Sequence, residues 1–182
     1  MKNLIKIFFV LFLALMSNFV VKTASATERN IPASLQNIIK DPVLIGSSEL
    51  KFFGLKVYDI SLWSEDVSFS YDKMFAIQIK YEMNFSREDI VKRSLSEIKS
   101  LHEISSGEEL SYAKQLTEIF NSVKKGDEKI AIFVPLQGVL MFHNNELMGK
   151  ISDLKLARLF VDIWLDEKGL YPKITRKILG KN

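Results

Sequence analysis

Alternating apolar and polar residues predict β-strands at several points along this chain of 182 residues. The segment GSSELKFFGLKVYDISLWS, residues 46–64, alternates in this way, but its apolar positions change parity twice. Because the side chains of a strand point to opposite faces with a period of two, each change would carry the apolar set to the wrong face unless a residue were inserted. The pattern therefore predicts two β-bulges or a sharp bend, near Phe52–Gly54 and near Val57–Tyr58. A long strand buried on both faces would give the same pattern.

The rest of the chain predicts strands and helices in an order typical of an α+β domain. The segment MFAIQIKYEM alternates cleanly, which indicates an antiparallel strand with one solvated face. Two amphipathic helices follow, and Ser86, with Asp89 three residues later, caps the first. The segments IAIFVP, GVLMFH and ELMGKI predict further strands, with Asn144 and Asn145 as a hairpin turn. A final helix, DLKLARLFVDIWL, begins at Ser152, so we expect an antiparallel sheet with helices on one face.

The first 26 residues have the pattern of a secretory signal peptide. Lys2 and Lys6 precede the apolar run IFFVLFLALM, and the small-residue sequence ASA ends at Ala26. The uncharged stretch 7–21 contains 15 residues, fewer than the ~18 of a membrane-spanning helix; an uncut membrane anchor is the alternative. We expect cleavage after Ala26, which leaves residues 27–182 as a single periplasmic or secreted domain without a membrane span.

Loss of this segment would make the domain electrically neutral. The segment contains three lysines and no acidic residue, so its removal reduces the 25 basic residues to 22, equal to the 22 acidic ones. Nucleic-acid binding needs a cationic face, so no nucleic-acid partner is expected. The basic C-terminal segment KITRKILGK is interpreted as a solvated tail. The chain has no cysteine, which excludes disulfides and a lipid-modified N-terminal cysteine.

The sequence contains no motif for a common catalytic or cofactor site. The two histidines, His102 and His143, lack the spacing of a zinc site, and we expect both at the surface. No glycine-rich phosphate loop occurs, and the acidic residues fall on polar helix faces or in loops. We therefore expect no metal and no cofactor. The remaining candidates are aromatic, and the first place to look for a cleft between sheet and helices is beside Phe53.

Four segments in series resemble the chalcone isomerase superfamily, in its bacterial exported branch. They are GSSELKFFGLKVYDISLW, then YEMNFSREDIVKRSLSEI, then LTEIFNSVKKGDEKIAIFVP with GVLMFHNNELMGKI, and finally FVDIWLDEKGLYPKITRKILG, and they cover residues 44–180. The resemblance implies an open-faced β-sandwich, in which a large antiparallel sheet packs against a layer of helices. It also implies that bends in the early strand shape a ligand cleft.

The resemblance implies that the family's catalytic residues are replaced in this chain. In the plant enzymes an arginine, a threonine and a tyrosine orient the phenolate of a chalcone and stabilise the developing enolate. Phe53 corresponds to the threonine and Phe85 to the tyrosine, and no arginine occurs between Arg29 and Arg87. Each lost donor is worth about 2.7–4 kcal/mol. Isomerase activity by the plant mechanism is therefore not expected.

We predict a non-catalytic module that binds a small hydrophobic, lipid-like or fatty acid-like molecule between the sheet and the helices. The candidate ligand-binding residues are Phe53, Phe85, Tyr58 and Leu147. Family members that bind fatty acids use the same arginine and tyrosine, so a neutral ligand fits the phenylalanines better. One alternative is a structural or protein-interaction module with a filled core, in which Phe53 and Phe85 pack against Trp164. The other is an isomerase or another enzyme in which Tyr58, Tyr81 or Lys51 supplies the donors.

Overall fold

The strands of the described chain pair in the order in which they occur in the sequence. This computed structural model describes residues 31–181, so the predicted signal peptide, residues 1–26, lies outside the described residues. All neighbouring strands are antiparallel and form one six-stranded sheet. The strands are β1 (Val43–Phe52), β2 (Leu55–Ser64), β3 (Phe75–Tyr81), β4 (Glu128–Val134), β5 (Gly138–His143) and β6 (Glu146–Ile151). The predicted α+β class with an antiparallel sheet is confirmed.

A tight hairpin turn joins β1 to β2. Phe52 pairs with Leu55, and Phe53 and Gly54 between them have φ angles of 47° and 81°. Positive φ at both central residues is what a type I′ turn requires, and the twist of this turn matches that of the flanking strands. Glycine adopts such a conformation freely, whereas in an L-residue such as Phe53 it costs roughly 1–2 kcal/mol. The first change of parity in the sequence is therefore a turn between two strands rather than a bulge within one.

The second change of parity is a β-bulge, as the sequence predicts. Leu50 of β1 pairs with Tyr58, and the next residue of β1 pairs with Lys56. Val57 is therefore an extra residue in β2. Because of this insertion, Tyr58, Ile60 and Leu62 all face the main core.

Side-chain caps define where the longer helices begin. The Ser86 hydroxyl accepts a hydrogen bond from the backbone N–H of Asp89, and the Asp89 carboxylate accepts one from the N–H of Ser86, which completes the predicted capping box. An equivalent box begins the second long helix. The third is capped by Asp153 rather than by the predicted Ser152. The helices are α1 (Ala33–Gln36), α2 (Arg87–Leu101), α3 (Ser106–Ile119), α4 (Leu154–Leu165) and α5 (Pro172–Ile178).

The main core lies between one face of the sheet and a layer formed by α2 to α5. Helix α4 packs against β4, β5 and β6, and α2 packs against α3 and α4. Phe160 and Val161 of α4 are 3 % and 0 % exposed, and burial of each such side chain contributes about 1.5–3 kcal/mol. The facing strands contribute the buried side chains Ile60, Leu62, Phe75, Ile77, Ala131, Phe133, Val139 and Met141.

The short helix α1 covers part of the opposite face of the sheet. Leu35 and Ile39 are fully buried in a second cluster with Trp63 and Ala76. The Asn145 side chain accepts a hydrogen bond from the backbone N–H of Ser34 at 3.1 Å, which ties α1 to the β5–β6 turn. The helices are therefore not confined to one face, and the solvated face predicted for β3 is partly covered.

The basic C-terminal segment forms helix α5 rather than a solvated tail. Thr175 and Ile178 are buried at 2 % and 0 % exposure, and α5 packs against β1 and β2. A Cβ on Gly46 of β1 would lie 2.2 Å from the backbone oxygen of Lys177. The basic side chains of the segment dominate its composition, so the apolar positions that dock α5 were missed.

We expect Gly46→Ala to destabilise the protein by about 1–3 kcal/mol, because the added methyl group forces α5 away from β1. Chemical denaturation of the purified protein measures the change. Gly107→Ala is the matched control, since Gly107 lies in the first turn of α3 and its nearest neighbour would be 4.0 Å from the new Cβ. Equal stability of the wild type and Gly46→Ala would contradict close packing of α5 on β1.

Candidate functional site

Two of the four predicted ligand-binding residues, Tyr58 and Phe85, lie close together at one end of the sheet–helix interface. Tyr81 joins them, because its ring centroid lies 6.2 Å from that of Tyr58 and 5.9 Å from that of Phe85, in edge-on geometry. The register of β2 and β3 places Tyr58 opposite Tyr81, and a bridge to Val123 positions Phe85 beyond the end of β3. Tyr81 is buried, whereas Tyr58 and Phe85 are half-buried. Two of the three rings are therefore partly exposed to solvent.

Trp164 of α4 supplies the polar contact of this site. Its Nε1–H donates a hydrogen bond to the Tyr58 hydroxyl at 3.3 Å, and its ring packs edge-on against Phe160 with centroids 5.4 Å apart. Burial raises the pKa of Tyr58 to about 12, so the hydroxyl stays protonated at neutral pH and can donate a hydrogen bond. We refer to Tyr58, Tyr81, Phe85 and Trp164 as the aromatic cluster.

Charged groups of α2 lie near the aromatic cluster. Arg93 donates a hydrogen bond to the Tyr171 hydroxyl at 2.9 Å, and its guanidinium lies 2.5 Å from Oε1 of Glu97, whose side chain is only 6 % exposed. Burial has the largest effect on the pKa of Tyr58, followed by the hydrogen bond from Trp164. The charges of Tyr171, Glu97 and Arg93 have smaller effects. The aromatic cluster therefore combines apolar rings with two hydrogen-bonding groups, and the Arg93 guanidinium beside it is already paired with Glu97.

The other two predicted residues, Phe53 and Leu147, lie away from the aromatic cluster. Phe53 is 92 % exposed at the tip of the β1–β2 hairpin, and Leu147 is 60 % exposed on β6. Strands β1 and β6 are the opposite edges of the sheet, and with neighbouring strands about 4.8 Å apart they are separated by roughly 24 Å. Phe53 does not line the space between the layers, because the turn places it beyond the last strand pair. The four residues therefore do not form one site.

A surface groove lies between α2 and α3 and has a volume of about 490 Å³. Its lining includes the apolar side chains of Val91 and Leu95 and the charged side chains of Arg87, Lys99 and Glu109. Lys99 Nζ and Glu109 Oε2 are 2.8 Å apart. The groove contains none of the four predicted residues, all of which the structure describes. It is therefore a feature of the helix layer, distinct from the aromatic cluster.

A comparison with family models decides the relationship of this chain to known proteins. The model described as chalcone isomerase-like matches residues 27–180. The chain belongs to the chalcone isomerase-like family. The crystal structure of a fatty-acid binding protein from Arabidopsis thaliana matches this chalcone isomerase-like chain with a TM-score of 0.61, over 78 % of this chain and 88 % of that one, at 10 % sequence identity. At this identity the likeness establishes the fold alone, and no curated protein sequence matches the chain.

Within residues 31–181, this chalcone isomerase-like chain has neither a spanning helix nor a cluster of metal ligands. No helix in that range is both long enough and apolar enough to cross a membrane. Over the same residues, histidine, aspartate and glutamate side chains do not gather in a group of three or more that could hold a metal ion. The candidate site described above consists of aromatic and hydrogen-bonding groups.

A buried carboxylate on α4 of this chalcone isomerase-like fold was not predicted from the sequence. Asp162 is 5 % exposed and accepts hydrogen bonds from the Tyr71 hydroxyl at 2.5 Å and from Arg158 Nε at 2.9 Å. Burial, followed by the hydrogen bond to Asp162, raises the pKa of Tyr71. His102 Nε2 lies 3.6 Å from the same carboxylate. These contacts tie the segment between β2 and β3 to the helix layer, and the four-residue spacing of Arg158 and Asp162 was the available signal.

A second missed cluster surrounds Lys129 of β4, which is 5 % exposed. Its Nζ donates a hydrogen bond to Asn121 Oδ1 at 2.5 Å, and His143 Nδ1 lies 2.9 Å from the same oxygen. His143 Nε2 lies 3.2 Å from Asp127 Oδ2, and the His143 side chain is only 12 % exposed. The surface position predicted for His143 is therefore wrong, because the imidazole lies between Asn121 and Asp127. Burial lowers the pKa of Lys129 to about 8.

We expect the stability of the protein to reveal this burial through its pH dependence. The folded-state pKa of Lys129 is about 8, whereas a lysine in the unfolded chain has a pKa of about 10.4. Between these values the unfolded chain binds a proton that the folded protein does not, so the contribution of Lys129 to the unfolding free energy rises with pH. Lys129→Met should therefore stabilise the protein by on the order of 2 kcal/mol near neutral pH and lose this advantage by about pH 10.5.

Urea denaturation at a series of pH values measures this difference. Lys80→Met is the matched control, because Lys80 is an exposed lysine on the neighbouring strand β3, and its effect should not change over the same range. If the unfolding free energies of the wild type and Lys129→Met differ by the same amount from neutral to alkaline pH, Lys129 keeps an ordinary pKa and the prediction is wrong.

Proposed function

We propose that this protein is a non-catalytic chalcone isomerase-like module that binds a small hydrophobic, lipid-like molecule at the aromatic cluster, between the sheet and the helix layer. The observation that carries the proposal is the composition of that cluster. The half-buried rings of Tyr58 and Phe85 pack edge-on against the buried ring of Tyr81, and half-buried Trp164 donates a hydrogen bond of 3.3 Å to the Tyr58 hydroxyl. Ligand pockets commonly have this character, with mostly apolar walls and a few polar groups that fix orientation.

The polar end of the ligand meets the hydrogen-bonding groups of the cluster. The Tyr58 hydroxyl and the Trp164 N–H are both donors, so a carbonyl, ester, hydroxyl or carboxyl oxygen can replace their mutual contact. Arg93 of α2 lies close enough for its charge to affect Tyr58, but its guanidinium is paired with Glu97, so the carboxylate of a fatty acid would compete with Glu97 for it. The A. thaliana neighbour with the same fold is named as a fatty-acid binding protein, which supports this ligand class.

Several features favour binding over catalysis. The resemblance places phenylalanine at two positions where the plant enzymes use hydroxyl groups, Phe53 and Phe85, and Phe53 is 92 % exposed. The Tyr58 hydroxyl, with a pKa raised by burial to about 12, stays protonated at neutral pH and therefore cannot act as a general base. Loss of two electrostatic donors at about 2.7–4 kcal/mol each removes most of the stabilisation of a developing enolate. An isomerase acting on a chalcone-like substrate remains the catalytic alternative.

The proposal includes export of the protein. The pattern of residues 1–26, with lysines before an apolar run and small residues at its end, is that of a cleaved signal peptide. Cleavage after Ala26 would deliver residues 27–182 to the periplasm or the medium. A binding module there would meet lipids and other apolar molecules outside the cytoplasm.

Native mass spectrometry of the protein purified without denaturants from cells that produce the full chain tests both parts. We expect the mass of residues 27–182 and a bound apolar species that organic extraction releases. Tyr58→Phe keeps the ring and removes the hydroxyl, and we expect it to weaken retention about five- to tenfold, the effect of one hydrogen bond. Tyr112→Phe, at a buried tyrosine of α3 with a 3.5 Å contact to Glu108, is the matched control and should retain the ligand.

The outcomes separate the candidate functions. A wild-type protein that is empty and also ignores added fatty acids and flavonoids would refute ligand binding and favour the protein-interaction module. Conversion of an added chalcone by the wild type would favour the isomerase. An intact mass that includes residues 1–26 would refute cleavage, and the test of ligand binding would still stand.

A further inference from the structure

The tip of the β1–β2 hairpin exposes a contiguous apolar surface. Phe52, Phe53 and Leu55 are 63 %, 92 % and 65 % exposed. Phe52 and Leu55 are register partners, and the ring centroids of Phe52 and Phe53 are 4.5 Å apart. An aromatic side chain has a surface of about 150–250 Å², so the two rings alone present on the order of 300 Å². This approaches the largest apolar patch of a typical monomer and indicates an interaction surface.

The fold itself gives no reason for an aromatic residue at this tip. Phe53 has a φ of 47°, a conformation that asparagine adopts with less strain in a type I′ turn. It belongs to neither core cluster of the described residues. A residue that is strained in the backbone and contributes no buried surface is expected where an interaction outside the fold requires it.

Charges follow a fixed order behind the tip. Lys51 and Lys56 are register partners directly behind the apolar pair, and further back Glu49 faces Asp59. Lys51 pairs with Glu49 at 2.5 Å and Lys56 with Asp59 at 2.8 Å. From the tip backwards the hairpin is therefore apolar, then basic, then acidic. This order matches a lipid–water interface, where acyl chains lie below a layer of phosphate groups.

We propose that the β1–β2 hairpin docks this protein on the surface of a bilayer that contains anionic lipids, with Phe52, Phe53 and Leu55 inserted and with Lys51 and Lys56 at the phosphates. Interfacial segments bury their apolar side chains about 5–10 Å deep, and two residues of strand at the tip span roughly 7 Å. A narrow convex tip enters a deformable lipid surface without needing a preformed pocket. The tip and the aromatic cluster share no residue, so changes at the tip leave the proposed ligand-binding side chains in place.

Liposome flotation tests the proposal with variants that preserve the hairpin. Phe53→Asn creates the Asn-Gly sequence that type I′ turns prefer, so it should keep or raise stability while removing the ring. Leu55→Thr removes the second apolar group and retains a residue that favours strands. We expect the wild type to float with vesicles of phosphatidylglycerol and phosphatidylethanolamine, and the Phe53→Asn/Leu55→Thr variant to bind at least about tenfold less.

A matched control comes from the opposite end of the sheet. Leu136, in the β4–β5 turn, is 90 % exposed with a φ of 59°. Because the strands are antiparallel in chain order, this turn lies at the other end from the β1–β2 turn. Leu136→Asn therefore removes an equally exposed side chain from a similar conformation and should leave flotation unchanged. All proteins are purified from cells producing the full 182-residue chain, so every variant has the same N-terminus.

Additional measurements distinguish binding of the tip to a lipid surface from binding to another partner. Lys51→Gln/Lys56→Gln should abolish the preference for phosphatidylglycerol over vesicles of phosphatidylcholine alone. Failure of the wild type to float, or equal flotation of the wild type and the Phe53→Asn/Leu55→Thr variant, would overturn the proposal. Self-association that depends on Phe53 in sedimentation without lipid would also overturn it, since a second copy of the chain would then be the occupant.

Discussion

The packing of α4 against β4, β5 and β6 is the contact on which the rest of the structure depends. This one helix buries Phe160 and Val161 against the sheet, holds the segment between β2 and β3 through Asp162, and directs Trp164 towards Tyr58. Helices α2 and α5 both pack against it. The geometry of the aromatic cluster is therefore a consequence of how α4 sits on the sheet.

This dependence explains why the candidate site is both ordered and accessible. Tyr81 is anchored in the core by its strand pairing, while Tyr58, Phe85 and Trp164 lie at the margin of the same interface. The hydrogen bond between Trp164 and Tyr58 is long, at 3.3 Å, so an acceptor on a ligand can compete with it. A protonated Tyr58 hydroxyl and an indole N–H can both donate hydrogen bonds to an oxygen atom, as the proposed binding requires.

The sequence predicted features that depend on local chemistry and missed those that depend on distant pairing. The capping box of Ser86 and Asp89 and the Asn144-Asn145 turn were both evident, because each rests on a few neighbouring residues. The β1–β2 turn was read as a bend because Phe53 occupies a position where asparagine or glycine would mark a turn. Helix α5 was missed because its lysines and arginine outweigh the buried Ile178.

The candidate site was also only partly predictable, because it depends on the pairing of residues that are distant in the sequence. The aromatic character of Tyr58 and the resemblance at Phe85 predict these two residues, but only the register of β2 and β3 reveals that Tyr81 joins them. Phe53 and Leu147 do not join them, because the hairpin turn and the strand order, which no local pattern marks, place these residues elsewhere. The clusters around Asp162 and Lys129 bring together side chains from separate elements, so no short motif marks them.

The two tryptophans of the chain allow the most direct test of binding at the aromatic cluster. Trp164 lies on the helix side of the sheet, and Trp63 lies in the opposite cluster, where its Nε1–H donates to Gln78 at 2.7 Å. Palmitic acid would be titrated into ¹⁵N-labelled protein while both indole N–H resonances are followed by NMR. Ligand binding predicts a saturable shift of the Trp164 signal and a constant Trp63 signal. A Trp164 signal that does not move, or equal shifts of both, would contradict binding at this site.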